Sequence, residues 1–274
     1  MRLKITHRTV YHYGTPVVHS IQSLRLTPRS DGRQRVLRWR LNLPAGAPEF
    51  VDPYGNVTRL LILEGTHTDI QIGVEGVVDT DPEEPASIRP VQISPQVFLQ
   101  ETPLTAPDDR LLEFAECDPR ALASDPEAEL VGLMARVRST VRYVKGSTDV
   151  RTTATEVLSN GRGVCQDFSH LFIAGCRTNG VPARYVSGYY YSGHESEEET
   201  AMHAWAEAWT ERTGWLSFDV SNGCPEGPGH LRLAVGRDYL DACPIRGVRI
   251  GGGHEMMDVR LQVMAAHSQQ QQQQ

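Results

Sequence analysis

The feature that most constrains the fold is a change of hydrophobic period along the chain. Residues 1 to about 80 alternate apolar and polar residues, as in LKITHRTVYHY and LRWRLNL, between Gly, Pro and Asp residues that favour turns. From about residue 108 the apolar residues recur instead at helical spacing, and strand-like segments return later. This order predicts an α+β protein with an antiparallel, β-sandwich-like N-terminal domain.

A proline-rich segment separates the two regions. The stretch DPEEPASIRPVQISPQVFLQETPLTAP contains six prolines, which exclude a regular helix and favour an extended crossing segment. We therefore predict a β-rich domain over residues 1–100 and a second domain over residues 101–266. Residues 267–274, HSQQQQQQ, form a polar tail of low complexity that we expect to be disordered.

Three helices are predicted in the second domain. In SDPEAELVGLMARVRSTVRYV, Asp125 can cap a helix whose apolar stripe ends near Val141. A second helix begins at a Thr-x-x-Glu capping box, Thr153 to Glu156, and ends near Asn160-Gly161. A third runs from about 164 to 179. The strand-like segments ARYVSGYYY, MHAWAEAWT, GWLSFDV, HLRLAVGRDYLDACP and MDVRLQVMAA follow it.

Composition excludes several classes of protein. The net charge of -7 argues against a nucleic-acid or anionic-membrane partner. The chain has neither an apolar run of about 18 residues nor a signal-like N-terminus, so we expect a cytoplasmic protein. Its five cysteines are odd in number and widely spaced, which favours reduced thiols.

One cysteine has a setting that favours chemistry. In GRGVCQDFSHLF, Cys165 follows Gly161 and Gly163 and stands where the third helix begins. A helix N-terminus favours the thiolate, which is the nucleophilic form of cysteine, and its free N–H groups can stabilise an oxyanion. We interpret the two glycines as an open approach for a substrate chain. Cys176, eleven residues later, is expected to be a core residue.

A nucleophilic cysteine needs a base, and the base needs an orienting group. His203 begins the strand MHAWAEAWT, and Asp219 ends the next strand, GWLSFDV. If these strands pair across the turn ERTG, residue 203 lies opposite roughly 219 to 221, within cross-strand contact. The alternation places His203 on one face and the alanines on the face that a helix could cover closely.

These segments resemble one protein family over nearly the whole chain. GRGVCQDFSHLFIAGCRTNGVPARYVSGYYY, MHAWAEAWTERTGWLSFDVSN and HLRLAVGRDYLDACPIRGV are similar to the bacterial branch of the transglutaminase-like superfamily. THRTVYHYGTPVVHSIQSLRLTPR and DPYGN resemble the β-rich region that precedes the core in those proteins. Met202 and the segment FDVSN depart from the family's usual residues but leave Cys165, His203 and Asp219 in place.

The resemblance implies a papain-like or transglutaminase-like core in which Cys165 is the nucleophile, His203 the base and Asp219 the orienting carboxylate. It implies acyl transfer on a peptide or protein amide through a thioester, with no cofactor and no metal. We expect hydrolysis, as in a cysteine protease or amidase. The alternatives are a transglutaminase that uses an amine acceptor and a non-catalytic interaction module. A metal site of Cys165, His203 and Asp219 is a weaker alternative because paired cysteines are absent.

Further residues near these motifs have open roles. Tyr143 is a candidate for an oxyanion hole, while Trp205, Trp209 and Trp215 fit core packing better than a shield over the site. The acidic segment HESEEET either is an ordinary solvated loop or favours the binding of cationic substrates. Oligomeric state is left open by the sequence.

Overall fold

The computed structural model describes residues 1–80, 93–193 and 202–266. The acidic loop HESEEET, the polar tail and the beginning of the proline-rich segment lie outside the described residues. The described chain is a mixed α+β structure with antiparallel main sheets, which confirms the predicted class.

The strands of the described residues are β1 (Arg2–Thr27), β2 (Gln34–Asn42), β3 (Glu49–Val51), β4 (Val57–Thr80), β5 (Arg142–Tyr143), β6 (Arg162–Gly163), β7 (Ala183–Tyr190), β8 (Met202–Thr210), β9 (Gly214–Phe218), β10 (His230–Gly236), β11 (Ile245–Gly251) and β12 (Glu255–Ala265). The α-helices are α1 (Asp109–Ala115), α2 (Pro119–Ser124), α3 (Pro126–Thr140), α4 (Ala154–Asn160), α5 (Cys165–Thr178) and α6 (Tyr239–Ala242). A short 3-10 helix spans Pro95–Leu99. Among these helices, none is long and apolar enough to cross a bilayer.

The first sheet is built on two long strands. β1 and β4 pair antiparallel along most of their length, with β2 and β3 on the outer edge of β4 and β11 and β12 on the outer edge of β1. The register of this pairing shifts between His12 and Val17. Apolar residues from both halves, such as Ile5 and Leu61, belong to one buried cluster. Both halves of the hairpin therefore contribute to one core, and the strands form a single six-stranded antiparallel sheet in the described residues.

The last two strands return to this first sheet. The sequence places residues 245–265 with the second domain, but β11 and β12 both pair with β1. Leu261 and Val263 are buried in the same cluster as Ile5, and that burial holds the returning strand on β1. The period of two predicts these strands but carries no information about their partner. The boundary near residue 100 stays a prediction.

The second sheet has the strand order β10-β7-β8-β9, and α5 covers one of its faces. Ala204, Ala206 and Ala208 of β8 belong to the same buried cluster as α5, so the predicted small-residue face does pack on a helix. Leu231 and Leu233 of β10 instead join the core of the first sheet. The second sheet is thus packed between α5 and the first sheet.

The predicted helices are confirmed, and their ends follow local capping. Asp125 accepts the N–H of Ala128 at the start of α3. Thr153 and Glu156 form the predicted capping box of α4, and Gly161 ends that helix in the left-handed conformation with φ 62°. These contacts satisfy backbone groups that helix ends leave unpaired.

The DPYGN turn fixes the two sheets against each other. The side chain of Asn56 donates to the carbonyl of Val235 and accepts its N–H, each at 2.8 Å. The hydroxyl of Tyr54 donates to Asp241 at 2.7 Å. Because the DPYGN turn belongs to the first sheet and Val235 to β10, these bonds position the second sheet on the first.

Candidate active site

Cys165 is the first residue of α5, and Asp167 organises the turn that presents it. The carboxylate of Asp167 accepts the N–H of Val164 at 2.7 Å and the hydroxyl of Thr148 at 2.6 Å. Burial raises the pKa of Asp167, and these two hydrogen bonds oppose that rise. In the described part of the chain no hydrogen bond uses the N–H of Cys165 or Gln166. Cys165 is partly exposed, so its thiol and these N–H groups lie at the accessible N-terminus of a helix that is otherwise mostly buried.

The two glycines before Cys165 have local structural roles. Gly161 is the left-handed residue that ends α4. A Cβ at Gly163 would lie 2.6 Å from Cβ and 2.8 Å from Oδ2 of Asp167. Gly163 therefore makes room for the carboxylate that holds the first turn of α5. The interpretation of the two glycines as an open approach for a substrate chain stays a prediction.

The predicted hairpin brings His203 and Asp219 together. β8 and β9 pair with Ala206 opposite Phe218 and Trp209 opposite Trp215. Continuing this register places residue 203 opposite 221 and diagonal to 219, as predicted. Nε2 of His203 lies 2.7 Å from Oδ2 of Asp219.

Asp219 is a fully buried carboxylate that accepts hydrogen bonds on both oxygens. Oδ2 receives His203, Nε2 of His230 at 3.0 Å and Nδ2 of Asn222 at 2.7 Å. Oδ1 receives the hydroxyl of Ser221 at 3.1 Å and the N–H of Asn222 at 3.2 Å. Its side chain is 0% exposed, against 11% for His203. A buried carboxylate with this many donors is held both in position and in its charged form.

The titration of His203 and Asp219 follows from these contacts. Burial alone would lower the pKa of His203, but the hydrogen bond to Asp219 and the nearby Cys165 side chain raise that pKa to about 10. Burial would raise the pKa of Asp219, but hydrogen bonds from His203, His230 and Asn222 hold it far below its usual range. These interactions favour the charged form of His203, in which Nε2 binds Asp219 and Nδ1 is not used by that bond.

His230 was missed from the sequence. It begins β10, and its Nδ1 accepts the N–H of Gly227 at 3.0 Å. That bond requires a lone pair on Nδ1, so Nε2 carries the proton that is donated to Asp219. Tyr190 stands beside both histidines, with its ring centroid 5.1 Å from His203 and 4.6 Å from His230. His230 and His203 thus bind the same carboxylate oxygen, Oδ2 of Asp219.

His203, Asp219 and His230 are residue types that can bind a metal ion, and they lie close together. Ligand-type atoms of His203, Asp219 and His230 lie within 4.8 Å of one another. However, Nδ1 of His230 already uses its lone pair to accept the N–H of Gly227, so Nε2 carries the ring proton. A metal ion at Nε2 would need a second lone pair, on the nitrogen that holds this proton. Neutral imidazole cannot meet both demands. The donor set fits a hydrogen-bonded carboxylate better than a metal centre, and the predicted lack of a metal stays a prediction.

The other residues singled out from the sequence have distinct positions. Tyr143 pairs with Gly163 between β5 and β6. Burial, Cys165 and Asp167 raise the pKa of Tyr143 to about 12, so its hydroxyl keeps its proton at neutral pH. Trp205 is fully buried between the sheets, which confirms core packing for that residue. Trp215 stacks on the guanidinium of Arg184, 3.9 Å from ring centroid to Cζ.

The five cysteines are free thiols, as predicted. Cys117, Cys176 and Cys243 are buried, whereas Cys165 and Cys224 are partly exposed. Cys176 lies within the core cluster around α5 and is 0% exposed, which confirms its expected packing role.

Two family models match this chain. The model of the transglutaminase-like superfamily matches residues 119–220, and that of the bacterial transglutaminase-like N-terminal region matches residues 3–79. An uncharacterized protein of Mycobacterium leprae is 32% identical over 277 residues, covering 96% of this chain and 98% of that protein. An uncharacterized protein of Mycobacterium tuberculosis is also 32% identical, covering 96% of this chain and 92% of that protein.

Two further comparisons concern an enzyme and a solved structure. A protein-glutamine gamma-glutamyltransferase of Pseudomonas aeruginosa is 30% identical over 113 residues, which are 36% of this chain and 16% of that enzyme. The crystal structure of a Cytophaga hutchinsonii protein, named as a candidate cysteine protease, superposes with a TM-score of 0.68 at 22% identity. It covers 97% of this chain and 92% of that one, so the two share a fold. The chain belongs to the transglutaminase-like superfamily and carries the N-terminal region of its bacterial members.

Proposed function

We propose that the protein catalyses cysteine-dependent acyl transfer on peptide or protein amides, with water as the acceptor. The observation that carries this proposal is the linked set Cys165, His203 and Asp219. The thiol stands at a helix N-terminus, and the histidine beside it is held by a buried carboxylate at 2.7 Å. These are the parts that nucleophilic catalysis by a thiol requires.

The first half of the reaction forms a thioester. The Cys165 thiolate attacks the amide carbonyl carbon, and the carbonyl oxygen becomes an oxyanion. The N–H groups of Cys165 and Gln166 in the first turn of α5 are candidate donors to that oxyanion, and the protonated hydroxyl of Tyr143 is a third candidate. The C–N bond then breaks as the His203 imidazolium gives its Nδ1 proton to the leaving amine.

The second half resolves the thioester. Neutral His203 takes a proton from a water molecule, whose oxygen attacks the thioester carbonyl. Collapse of this second oxyanion breaks the C–S bond, releases the carboxylic acid and restores the thiolate and imidazolium. Asp219 stays ionised throughout and stabilises the imidazolium in each half. No cofactor takes part in these steps.

Hydrolysis is favoured over amine transfer by the exposure of the thiol. Cys165 is partly exposed, so solvent water has access to a thioester formed there. The transglutaminase alternative, in which a primary amine resolves the thioester, is supported by the local similarity to the Pseudomonas glutamyltransferase. The two reactions differ only in the molecule that accepts the acyl group from the thioester, which is water in hydrolysis and an amine in transglutamination.

The test is turnover of glutamine-containing peptides with and without a primary amine, followed by mass spectrometry. We expect peptide hydrolysis or deamidation without the amine, complete loss in Cys165→Ala, and little change in Cys117→Ala. Cys117 is a suitable control because its N–H binds Asn179 at the other end of α5. Products that contain the amine would favour the transglutaminase alternative. No Cys165-dependent product with any peptide would favour a non-catalytic module.

A further inference from the structure

The outer edge of the first sheet is formed by β11 and β12. β12 pairs with β1 in continuous register from Tyr13 opposite Glu255 to Leu3 opposite Ala265. No strand of the described residues pairs with the other side of β12. A long unpaired edge of this kind is a template for pairing with another chain.

The direction of the backbone groups along β12 follows from the hydrogen bonds that flank it. The N–H of Gly14 donates to His254 at 2.9 Å, and the N–H of Ala266 donates to Arg2 at 2.8 Å. Both bonds involve even-numbered residues of this segment. In an antiparallel pair, alternate residues bond to the partner strand, so the even residues of β12 face β1. The N–H and C=O of Met257, Val259 and Leu261 therefore point to the free edge.

The side chains of β12 have a charge pattern that is complementary to itself. Asp258 and Arg260 share one face, two residues apart, and flank Val259. Their side chains are 52% and 76% exposed, and Nε of Arg260 lies 3.4 Å from Oδ1 of Asp258. Met256, Met257 and Val259 are also exposed on this strand. When an antiparallel copy of the same strand pairs around Val259, the acidic residue of each copy lies opposite the basic residue of the other.

We propose that two copies of this chain pair through β12, antiparallel, around a two-fold axis at Val259. Val259 and the partner's Val259 then exchange two N–H···O=C bonds. Asp258 lies opposite the partner's Arg260 in a non-hydrogen-bonded pair, where side chains approach most closely. The symmetric contact repeats the same charge pair on the other side of the axis.

Neighbouring registers are less favourable. An axis at Asp258 places this residue opposite the partner's Asp258, and an axis at Arg260 opposes two arginines. An axis that lies between two residues would place each residue whose N–H and C=O point to the free edge opposite a residue whose N–H and C=O already bond to β1. The axis at Val259 is thus the register near the centre of β12 that satisfies both the backbone and the charges.

Light scattering coupled to size exclusion, over a concentration series of the full chain, tests this dimer. We expect the wild type to have twice the mass of one chain. D258R and R260D each oppose like charges on both sides of the axis, so each should weaken dimerisation at least about tenfold. The double variant D258R/R260D restores the opposite charges and should restore the dimer.

V259P is the matched backbone variant. Proline at this position removes an N–H that points away from β1, which edge strands tolerate. We expect a folded monomer whose melting temperature does not depend on protein concentration, unlike that of the dimeric wild type. A monomeric wild type would overturn the proposal. It would also be overturned if V259P and both charge reversals leave the dimer intact, or if the double variant fails to recover it. These outcomes are independent of Cys165 chemistry.

Discussion

Nε2 of His203 donates to Oδ2 of Asp219 across 2.7 Å, and this bond joins the beginning of β8 to the loop that follows β9. The pairing of two adjacent strands places the two residues, and His230 and Asn222 complete the shell around the carboxylate. The bond orients the imidazole and favours its charged form. The first predictions concern this bond.

Asp219→Asn should keep the fold and lose activity. An amide cannot stabilise the imidazolium as a carboxylate does, and it favours the wrong tautomer of His203. We expect turnover of an amide substrate to fall by about 10²- to 10⁴-fold. The pKa of His203 should fall toward its ordinary value, as NMR of labelled histidine would show. Activity within a few-fold of wild type would remove Asp219 from the proposed mechanism.

His230→Gln should reduce both stability and activity. The variant loses the hydrogen bonds to Gly227 and Asp219, which should lower the free energy of unfolding by about 1–3 kcal/mol. If His230 positions the carboxylate, the pKa of His203 should change as well. A purely structural role would leave that titration unmoved. His254→Gln, at an exposed position in the bend between β11 and β12, is the matched control.

The histidines should titrate far apart. Interaction with Asp219 and Cys165 outweighs burial and raises the pKa of His203 to about 10, while burial lowers the pKa of His7 to about 4. At pH 7 NMR should show a charged His203 and a neutral His7. Because the pKa of His203 is raised on folding, its stabilising contribution is complete below pH 6.5 and is lost as pH rises toward 10. The contribution of Asp219 has the opposite sign and is lost on acidification below pH 3.8.

Gly163→Ala should disturb the first turn of α5. The new methyl would lie 2.6 Å from Cβ of Asp167, so the turn must shift or the carboxylate must move. We expect the free energy of unfolding to fall by about 1–3 kcal/mol, together with a loss of activity. Gly132→Ala on α3 meets nothing within 4 Å and should stabilise the helix by up to about 1 kcal/mol. Equal effects of the two substitutions in denaturant titrations would contradict the assigned role of Gly163.

Asn56→Ala should weaken the attachment of the second sheet to the first. The substitution leaves the buried N–H and C=O of Val235 without their partner. We expect the free energy of unfolding to fall by at least about 1–3 kcal/mol in urea titrations. Asn42→Ala, at the exposed end of β2, is the control and should change it by less. A negligible effect of Asn56→Ala would show that the DPYGN turn does not hold the two sheets together.

Local patterns were sufficient to predict much of the site. The capping residues Asp125 and Thr153 predict where α3 and α4 begin, because helix caps depend on a few adjacent residues. The short turn between β8 and β9 fixes the register that joins His203 to Asp219.

Contacts between distant segments could not be predicted in the same way. His230 reaches Asp219 because β10 pairs with β7, which lies between β10 and β8 in the sheet. No spacing in the sequence encodes that order. The paired residues of β1 and β12 are over 240 positions apart in the sequence, so no local pattern predicts their pairing. The contact of Gly163 with Asp167 could not be predicted either, because it depends on the three-dimensional path of the turn before α5.

The most direct measurement is the rate at which iodoacetamide labels each of the five thiols at neutral pH, read by peptide mapping. Cys165 and Cys224 are both partly exposed, so exposure alone predicts similar rates for these two. If His203 and the helix N-terminus activate Cys165, it should react at least about tenfold faster than Cys224, and His203→Ala should abolish that advantage. Equal labelling of Cys165 and Cys224, unchanged in His203→Ala, would contradict a nucleophilic role for Cys165.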